Sequence, residues 1–327
     1  MQAQHTDANA LRVCLITHGL SPIVAPLYAE PRVKLVSIVE SAPRPQRSTS
    51  MPRRTAERIY RRVRFRDSLE YYAKARNLPY FSLSKENLPS LGERLKEQQC
   101  DVLVVHSMSH LLPASILEIP RFGTLNLHPS KLPAYRGPNP IFWMYYNTET
   151  SGGVTLHYLD AGEDTGDIVY QASFAINPGM SYREMHDTAI KKHGIQLVLN
   201  ALQTLADGSP LPRTRQPKES PTVRARRVKS EEYRTAIDWQ SWPVERVWHF
   251  LRGADSWIND VIGPPPGFAP GQDWTVLEYE RKRTASRRLG AIEKDRHGHY
   301  LVCKDGVVRL ETEFKTSNFL KFIYRKL

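Results

Sequence analysis

Apolar residues in this chain come in short runs separated by polar, helix-forming stretches. Residues 11–17 (LRVCLIT), 33–39 (VKLVSIV) and 101–107 (DVLVVHS) are apolar almost throughout, the pattern of strands buried on both faces. Further strands are predicted at 80–82, 123–127, 154–159 and 168–174. Helices are predicted between them at 21–29, with Pro22 in the first turn, at 85–98 and at 181–205. The arginine-rich stretch 52–77 also reads as a helix. Strands alternating with helices imply an α/β layered domain with a mostly parallel sheet, Rossmann-like in outline.

The pattern changes after residue 206. Residues 207–228 are dense in Pro, Arg, Ser and Thr, have no apolar period, and read as a basic linker or extended wrap. Beyond them a helix is predicted at 243–252. From Trp274 onward short runs alternate, WTVLEYE, LGAIEKD, YLVCKDG and VVRLETEF, which suggests a small OB-like β-barrel. The expected division is therefore 1–206, 207–228 and 229–327.

Composition narrows the partners. The chain has 327 residues and a formal net charge of +12, which favours anionic ligands such as nucleic acid, nucleotide sugars or polyglutamylated cofactors. Cys14, Cys100 and Cys303 share no metal-binding or disulfide spacing, so a reducing, cytoplasmic setting is expected. No segment is apolar for long enough to span a bilayer, and no membrane partner is expected. The N-terminus lacks a basic stretch before its apolar run and reads as a tail entering the first strand, not as a signal peptide.

The chemistry concentrates in TLNLHPSKLPAYRGPNP, residues 124–140. Alternation along an extended strand puts Asn126 and His128 on one face with Leu127 on the other. That strand end is where ligands sit in parallel sheets. One amide and one titratable imidazole thus point together, and Pro129, Pro133 and Gly137 shape the exit. An Asn-x-His at a strand end can simply satisfy a loop. A second cluster, GGVTLHYLDAGEDTGDIVYQ, adds His157, Asp160, Glu163, Asp164 and Asp167 between two strands. Its loop could return a carboxylate to His128, which would fix the imidazole tautomer and suit proton transfer. His106 and His110 lie four apart, but no third ligand is spaced to complete a metal site, so no metal is expected.

In these two motifs, NLHPSKLPAYRG and GEDTG, the chain resembles the formyltransferases that use 10-formyltetrahydrofolate, over about residues 11–205. The resemblance implies a catalytic trio of Asn126, His128 and Asp164. It implies a folate site at His110 and Leu112, closed over by Leu159, Asp160 and Glu163. It assigns the acceptor side of the pocket to Lys131, Tyr135, Arg136, Gly137, Pro138, Asn139 and His157. The C-terminal region is similar to the OB-like domain of methionyl-tRNA formyltransferases.

The acceptor amine stays open between two candidates. Arg53, Arg54, Arg58, Arg61, Arg62, Arg64 and Arg66, with Arg224, Arg226, Arg227 and Lys229, favour a methionyl-tRNA, unless those arginines merely solvate an exposed face. Lys131 stands where many relatives carry Leu, and Pro138-Asn139 replaces a common pair of small residues. Both changes favour a nucleotide-linked amino sugar. A formyltetrahydrofolate hydrolase, or an RNA-binding protein on the same fold, is the alternative from another class.

Overall fold

The computed structural model describes residues 10–41, 68–108, 110–267, 271–282 and 288–314. The arginines from Arg53 to Arg66, with most of the helix expected around them, lie outside the described residues. Leu69–Lys74 from the end of that stretch is helical.

β1 (Leu11–Thr17), β2 (Val33–Ser41), β3 (Tyr80–Leu83), β4 (Val102–His106) and β5 (Thr124–His128) pair in parallel. β6 (Ser151–Tyr158) and β7 (Ile168–Ala175) join antiparallel at one edge. The seven-stranded order is β3-β2-β1-β4-β5-β6-β7. Because β1 is flanked by β2 and β4, the chain crosses in opposite directions from it, and a crevice opens at the carboxyl ends there. The apolar runs are explained by burial on both sides. Val13 and Leu15 join one core cluster while Cys14 and Ile16 join another across the sheet. At about 25 cal/mol per Å² of apolar surface, such strands supply much of the drive to fold.

The helix expected at 181–205 is interrupted. Tyr182–Asp187 is α-helical behind a capping box of Ser181 and Glu184, Thr188–Gly194 makes a π turn, and Ile195–Ala206 resumes the α-helix. The wider turn keeps Ala189, Ile190 and Val198 all buried against the sheet. Periodicity alone could not show that insertion.

The C-terminal runs form a four-stranded antiparallel sheet, β8 (Gln272–Arg281), β9 (Ile292–Asp295), β10 (Gly298–Val302) and β11 (Gly306–Phe314), in the order β8-β11-β10-β9. It shares a core with the first part of the chain. Phe142, on the helix Pro140–Tyr146, packs edge-on against Phe250 at 5.6 Å and Trp257 at 6.0 Å between ring centres. Phe142 and Phe250 are both buried, and truncating either to Ala should cost about 3–5 kcal/mol.

The segment 207–228 runs extended along the loops that follow β5 and β6. Thr214 bridges Ile168. The Ser220 hydroxyl donates to the Pro133 carbonyl at 2.8 Å. The Ala225 amide donates to the Arg136 carbonyl at 2.8 Å, and the Ala225 carbonyl accepts from Asn139 N–H at 2.9 Å. Its lack of periodicity follows from this, since Thr214, Ser220 and Ala225 each answer to different residues of the N-terminal part.

Candidate active site

β5 ends at His128, and its pleat turns Asn126 and His128 to one face while Leu125 and Leu127 enter the core on the other. β6 pairs antiparallel beside it, with His157 opposite Asn126 and Thr155 opposite His128. Register thus adds a second imidazole to the same face.

The loop 159–167 then doubles back over that face. It leaves and returns at one point: Leu159 N–H donates to the Thr124 carbonyl at 2.8 Å, and Tyr158 N–H to the Asp167 carbonyl at 2.9 Å. Gly166 permits the closure, because a Cβ there would sit 2.0 Å from the Tyr158 carbonyl oxygen. Asp160 ties the loop internally, accepting from Gly162 N–H at 3.0 Å and the Thr165 hydroxyl at 2.7 Å. Asp164 has a φ of 54°, a left-handed conformation that Asp tolerates better than most residues.

Its carboxylate is held from two sides. Oδ2 accepts Gly137 N–H at 2.9 Å and Oδ1 accepts Asn126 Nδ2–H at 3.3 Å. His128 Nδ1 lies 3.6 Å from Oδ2, and His157 Nε2 lies 3.6 Å from Oδ1. Hydrogen bonding defines both tautomers. His157 Nδ1–H donates to the Tyr158 carbonyl at 2.8 Å, which leaves Nε2 to accept from Asn126 Nδ2 at 3.1 Å. His128 Nε2–H donates to the Tyr135 carbonyl at 3.0 Å, which leaves Nδ1 as the atom that gains or loses a proton. Tyr135 presents that carbonyl from a φ of 58°.

Electrostatics set the protonation states. Burial pushes His128 below its usual value of 6.5, with Asp164 opposing that fall only in part. Burial would by itself raise Asp164, but His128, His157 and the Gly137 amide outweigh it and hold the carboxyl well below the usual range. At neutral pH the pair is a neutral imidazole beside an ionised carboxylate. Protonating Nδ1 would complete an ion pair, so His128 can take a proton and be stabilised once it holds one. Both N–H groups of Asn126 are engaged, and the 3.3 Å bond to Asp164 is the longer and the more readily shared with a ligand.

The other expected residues divide by orientation. Tyr135 points its ring away from His128 into the core shared with the C-terminal sheet, with its hydroxyl on Glu149, so its part in the site is its backbone carbonyl. Arg136 is buried, and its donors meet Gln216 and the carbonyls of Pro217 and Lys218, which leaves them turned from the cleft. Gly137, at a φ of 121°, lends its amide to Asp164, and a Cβ there would stand 2.9 Å from the Ala225 carbonyl oxygen. Lys131 and Pro138 are exposed, and Asn139 is half-buried against Ala225.

On the expected folate side, Leu112 is buried and Leu159 packs against the same cluster. His110 Nε2 is buried without a hydrogen-bond partner among the described residues, an orphan polar atom of the kind that a heterocycle edge could satisfy. Glu163 is held by a two-pronged ion pair with Arg224. His106 bonds the Ser21 hydroxyl at 2.8 Å through Nδ1, and among the described residues no cluster of His, Cys, Asp and Glu is arranged to hold a metal. A cleft of about 850 Å³ opens beside Leu159 and Asp160, lined also by Leu117, Tyr158 and Arg213; none of Asn126, His128 and Asp164 lines it. No described helix is long and apolar enough to cross a membrane.

Sequence reasoning missed Gln216, Thr222 and the Tyr135 carbonyl. Thr222 Oγ1 accepts Tyr135 N–H at 2.7 Å. Gln216 and Thr222 lie in the aperiodic stretch, where no pattern marks one residue above its neighbours.

A family model described as formyl transferase matches residues 33–202. The methionyl-tRNA formyltransferase of Geobacter metallireducens is 31% identical over 244 residues, 73% of each chain. Two solved structures share the fold at low identity. HypX from Aquifex aeolicus in complex with tetrahydrofolic acid has a TM-score of 0.59 at 15% identity, over 92% of this chain and 43% of that one. An N-formyltransferase from Helicobacter canadensis in complex with folinic acid and dTDP-3-aminofucose has a TM-score of 0.58 at 14% identity, over 93% of this chain and 100% of that one.

Proposed function

This chain belongs to the formyl transferase family, and on that premise we propose that it formylates the amino group of a methionyl-tRNA with 10-formyltetrahydrofolate as donor. Formyl transfer follows from the family. The observation that supports our assignment of its machinery is the cluster in which Asp164 lies 3.6 Å from His128 Nδ1 and bonds Asn126 at 3.3 Å.

In this reading the acceptor nitrogen attacks the formyl carbon, and the carbonyl electron pair moves to oxygen. Neutral His128 takes the amine proton at Nδ1, and Asp164 stabilises the imidazolium that results. Asn126 Nδ2–H and the new Nδ1–H face the developing oxyanion. The carbon–N10 bond then breaks, N10 receives the proton, and tetrahydrofolate leaves. Asp164 stays ionised throughout, as its depressed pKa requires. We assign the pterin to the wall of His110, Leu112 and Leu159, where the orphan His110 Nε2 awaits a partner. Asp160 and Glu163 shape the loop above it through the bonds they already make.

For the acceptor, the support is the 31% identity to a methionyl-tRNA formyltransferase and the net charge of +12. Arg224 and Arg226 are ion-paired with Glu163 and Glu232, and Arg227 and Lys229 are exposed. We place the reaction in the cytoplasm, where charged tRNA is met. A second reading, a nucleotide-linked amino sugar, is favoured by Lys131, an exposed cation on the loop that leaves His128 and a fit partner for a diphosphate.

Release of tetrahydrofolate tests both. Dependence on methionyl-tRNA supports the first reading. Dependence on a dTDP-, UDP- or GDP-linked amino sugar replaces it with the second. Steady formate release without any amine would make the protein a hydrolase and remove both.

A further inference from the structure

Gln216 stands in the aperiodic segment, yet the residue is only 8% exposed and every hydrogen-bonding position on its amide is filled. Nε2 donates to the carbonyls of Asp164 at 3.0 Å and Gly166 at 2.6 Å. Oε1 accepts from Arg136 Nε at 3.1 Å and Nη2 at 2.9 Å. Arg136 only donates and the two carbonyls only accept, so the amide has one orientation. An ionised carboxylate in its place would turn an acceptor towards two acceptors, and an asparagine would be one carbon short.

What this amide joins matters more than the number of bonds. One side of it is the loop whose crest is Asp164, held at a φ of 54°. The other side is the loop in which Tyr135, just before Arg136, accepts from His128 Nε2, and Gly137, just after it, donates to Asp164 Oδ2. The second loop thus contacts both His128 and Asp164, and Gln216 ties it to the first. The Gln216 bond to the Asp164 carbonyl restrains the backbone in this left-handed conformation.

We propose that Gln216 is a positioning residue of the active site, which fixes the separation of the Asp164 carboxylate from His128 Nδ1. The inference rests on the Asp164–His128 pairing of the proposed function. Gln216 touches no reacting atom; it acts through the backbone of Asp164 and through Arg136. Its place outside the matched family segment, 33–202, means that the C-terminal part of the chain completes the site of the N-terminal part.

The titration of His128 in the free protein, followed by NMR of histidine-labelled samples, reads that separation without needing an acceptor. Asp164, His157 and Glu163 are the titratable groups that act on His128. Asp164→Asn removes the carboxylate that supports the imidazolium and should move the His128 titration to lower pH. Gln216→Leu and Gln216→Met, which add no charge, should each move it in the same direction. Either change made in the Asp164→Asn background should add nothing. If Asp164→Asn moves the titration and neither Gln216 variant does, Gln216 is structural packing and the inference is overturned while the pairing stands. If Asp164→Asn itself leaves the titration in place, both fall. A shift of equal size in the Asp164→Asn background would also overturn the inference, since Gln216 would then act by general loosening.

Discussion

His128 Nδ1 stands 3.6 Å from Asp164 Oδ2, beyond a normal hydrogen bond and close enough for each charge to govern the other. The two are kept there by bonds that neither makes to the other. Tyr135 holds the far nitrogen of His128, and Gly137 holds the near oxygen of Asp164. The gap suits a base that is neutral at rest and charged in mid-reaction.

That relationship gives a pH prediction. In the proposed reaction His128 acts as the base and must be neutral, and burial sets its pKa below 6.5, so the acid limb of kcat/KM should fall below pH 6.5. The Asp164 carboxylate favours imidazolium and holds the limb higher than burial alone would. Asp164→Asn should therefore shift the limb to lower pH and reduce kcat by about a hundredfold. A rate–pH profile of the two proteins checks both, and an unmoved limb with near-normal kcat would remove His128 as the base.

Asn126→Ala deletes the proposed oxyanion donor and the bonds to His157 and Asp164 together. The expected loss is about a hundredfold or more in kcat, with KM for the folate little changed. A loss confined to KM would instead make Asn126 a substrate-binding group.

Gly137→Ala should damage the fold and the site at once. A φ of 121° is strained for any residue with a Cβ, and the Ala225 carbonyl would lie 2.9 Å from the added carbon. A loss on the order of 1–3 kcal/mol is expected, seen as a lower Tm, together with weakened activity as the Asp164 anchor shifts.

His106 carries a stability prediction. Burial, aided by the nearby His186, lowers its pKa to about 4. Between pH 6.5 and 4 the unfolded chain binds a proton that the folded chain refuses, so stability falls as pH falls through that window. The contribution is about 3 kcal/mol at most. His106→Asn should flatten the pH dependence of guanidinium unfolding there, and an unaltered slope would show that other histidines dominate it.

The ion pair of Glu163 and Arg224 should contribute little, since both side chains are partly exposed, at 30% and 59%. Glu163→Gln should change stability by under about 1 kcal/mol. A larger fall in Tm would mean that the pair closes the loop 159–167 rather than decorating it.

Much of this molecule was legible in one dimension. The run LRVCLIT had to be a strand buried on both faces, because the unbroken apolar stretch from Val13 to Ile16 offers water no polar side chain on either face. Asn126 and His128 had to share a face, because a strand alternates with period two. The prolines and the charge pattern marked 207–228 as a different kind of chain. These features depend on near neighbours, whose geometry the backbone dictates.

The tertiary structure decided everything that required two distant stretches to meet. The antiparallel register of β5 and β6 set His157 opposite Asn126. A glycine at position 166 let the loop turn back so that Asp164, and none of the other acidic residues in the stretch, reached both Gly137 and Asn126. Tyr135 and Arg136 look like binding residues in the motif, yet packing turned their side chains away and kept one carbonyl and one anchor. Gln216 was invisible in advance for the same reason. An amide side chain carries no pattern until the two carbonyls and the guanidinium that saturate it have been brought within 3.1 Å. Local sequence selects strands, turns and faces, whereas the chemistry of the site depends on hydrogen bonds between groups eighty or more residues apart, which only the packed fold can align.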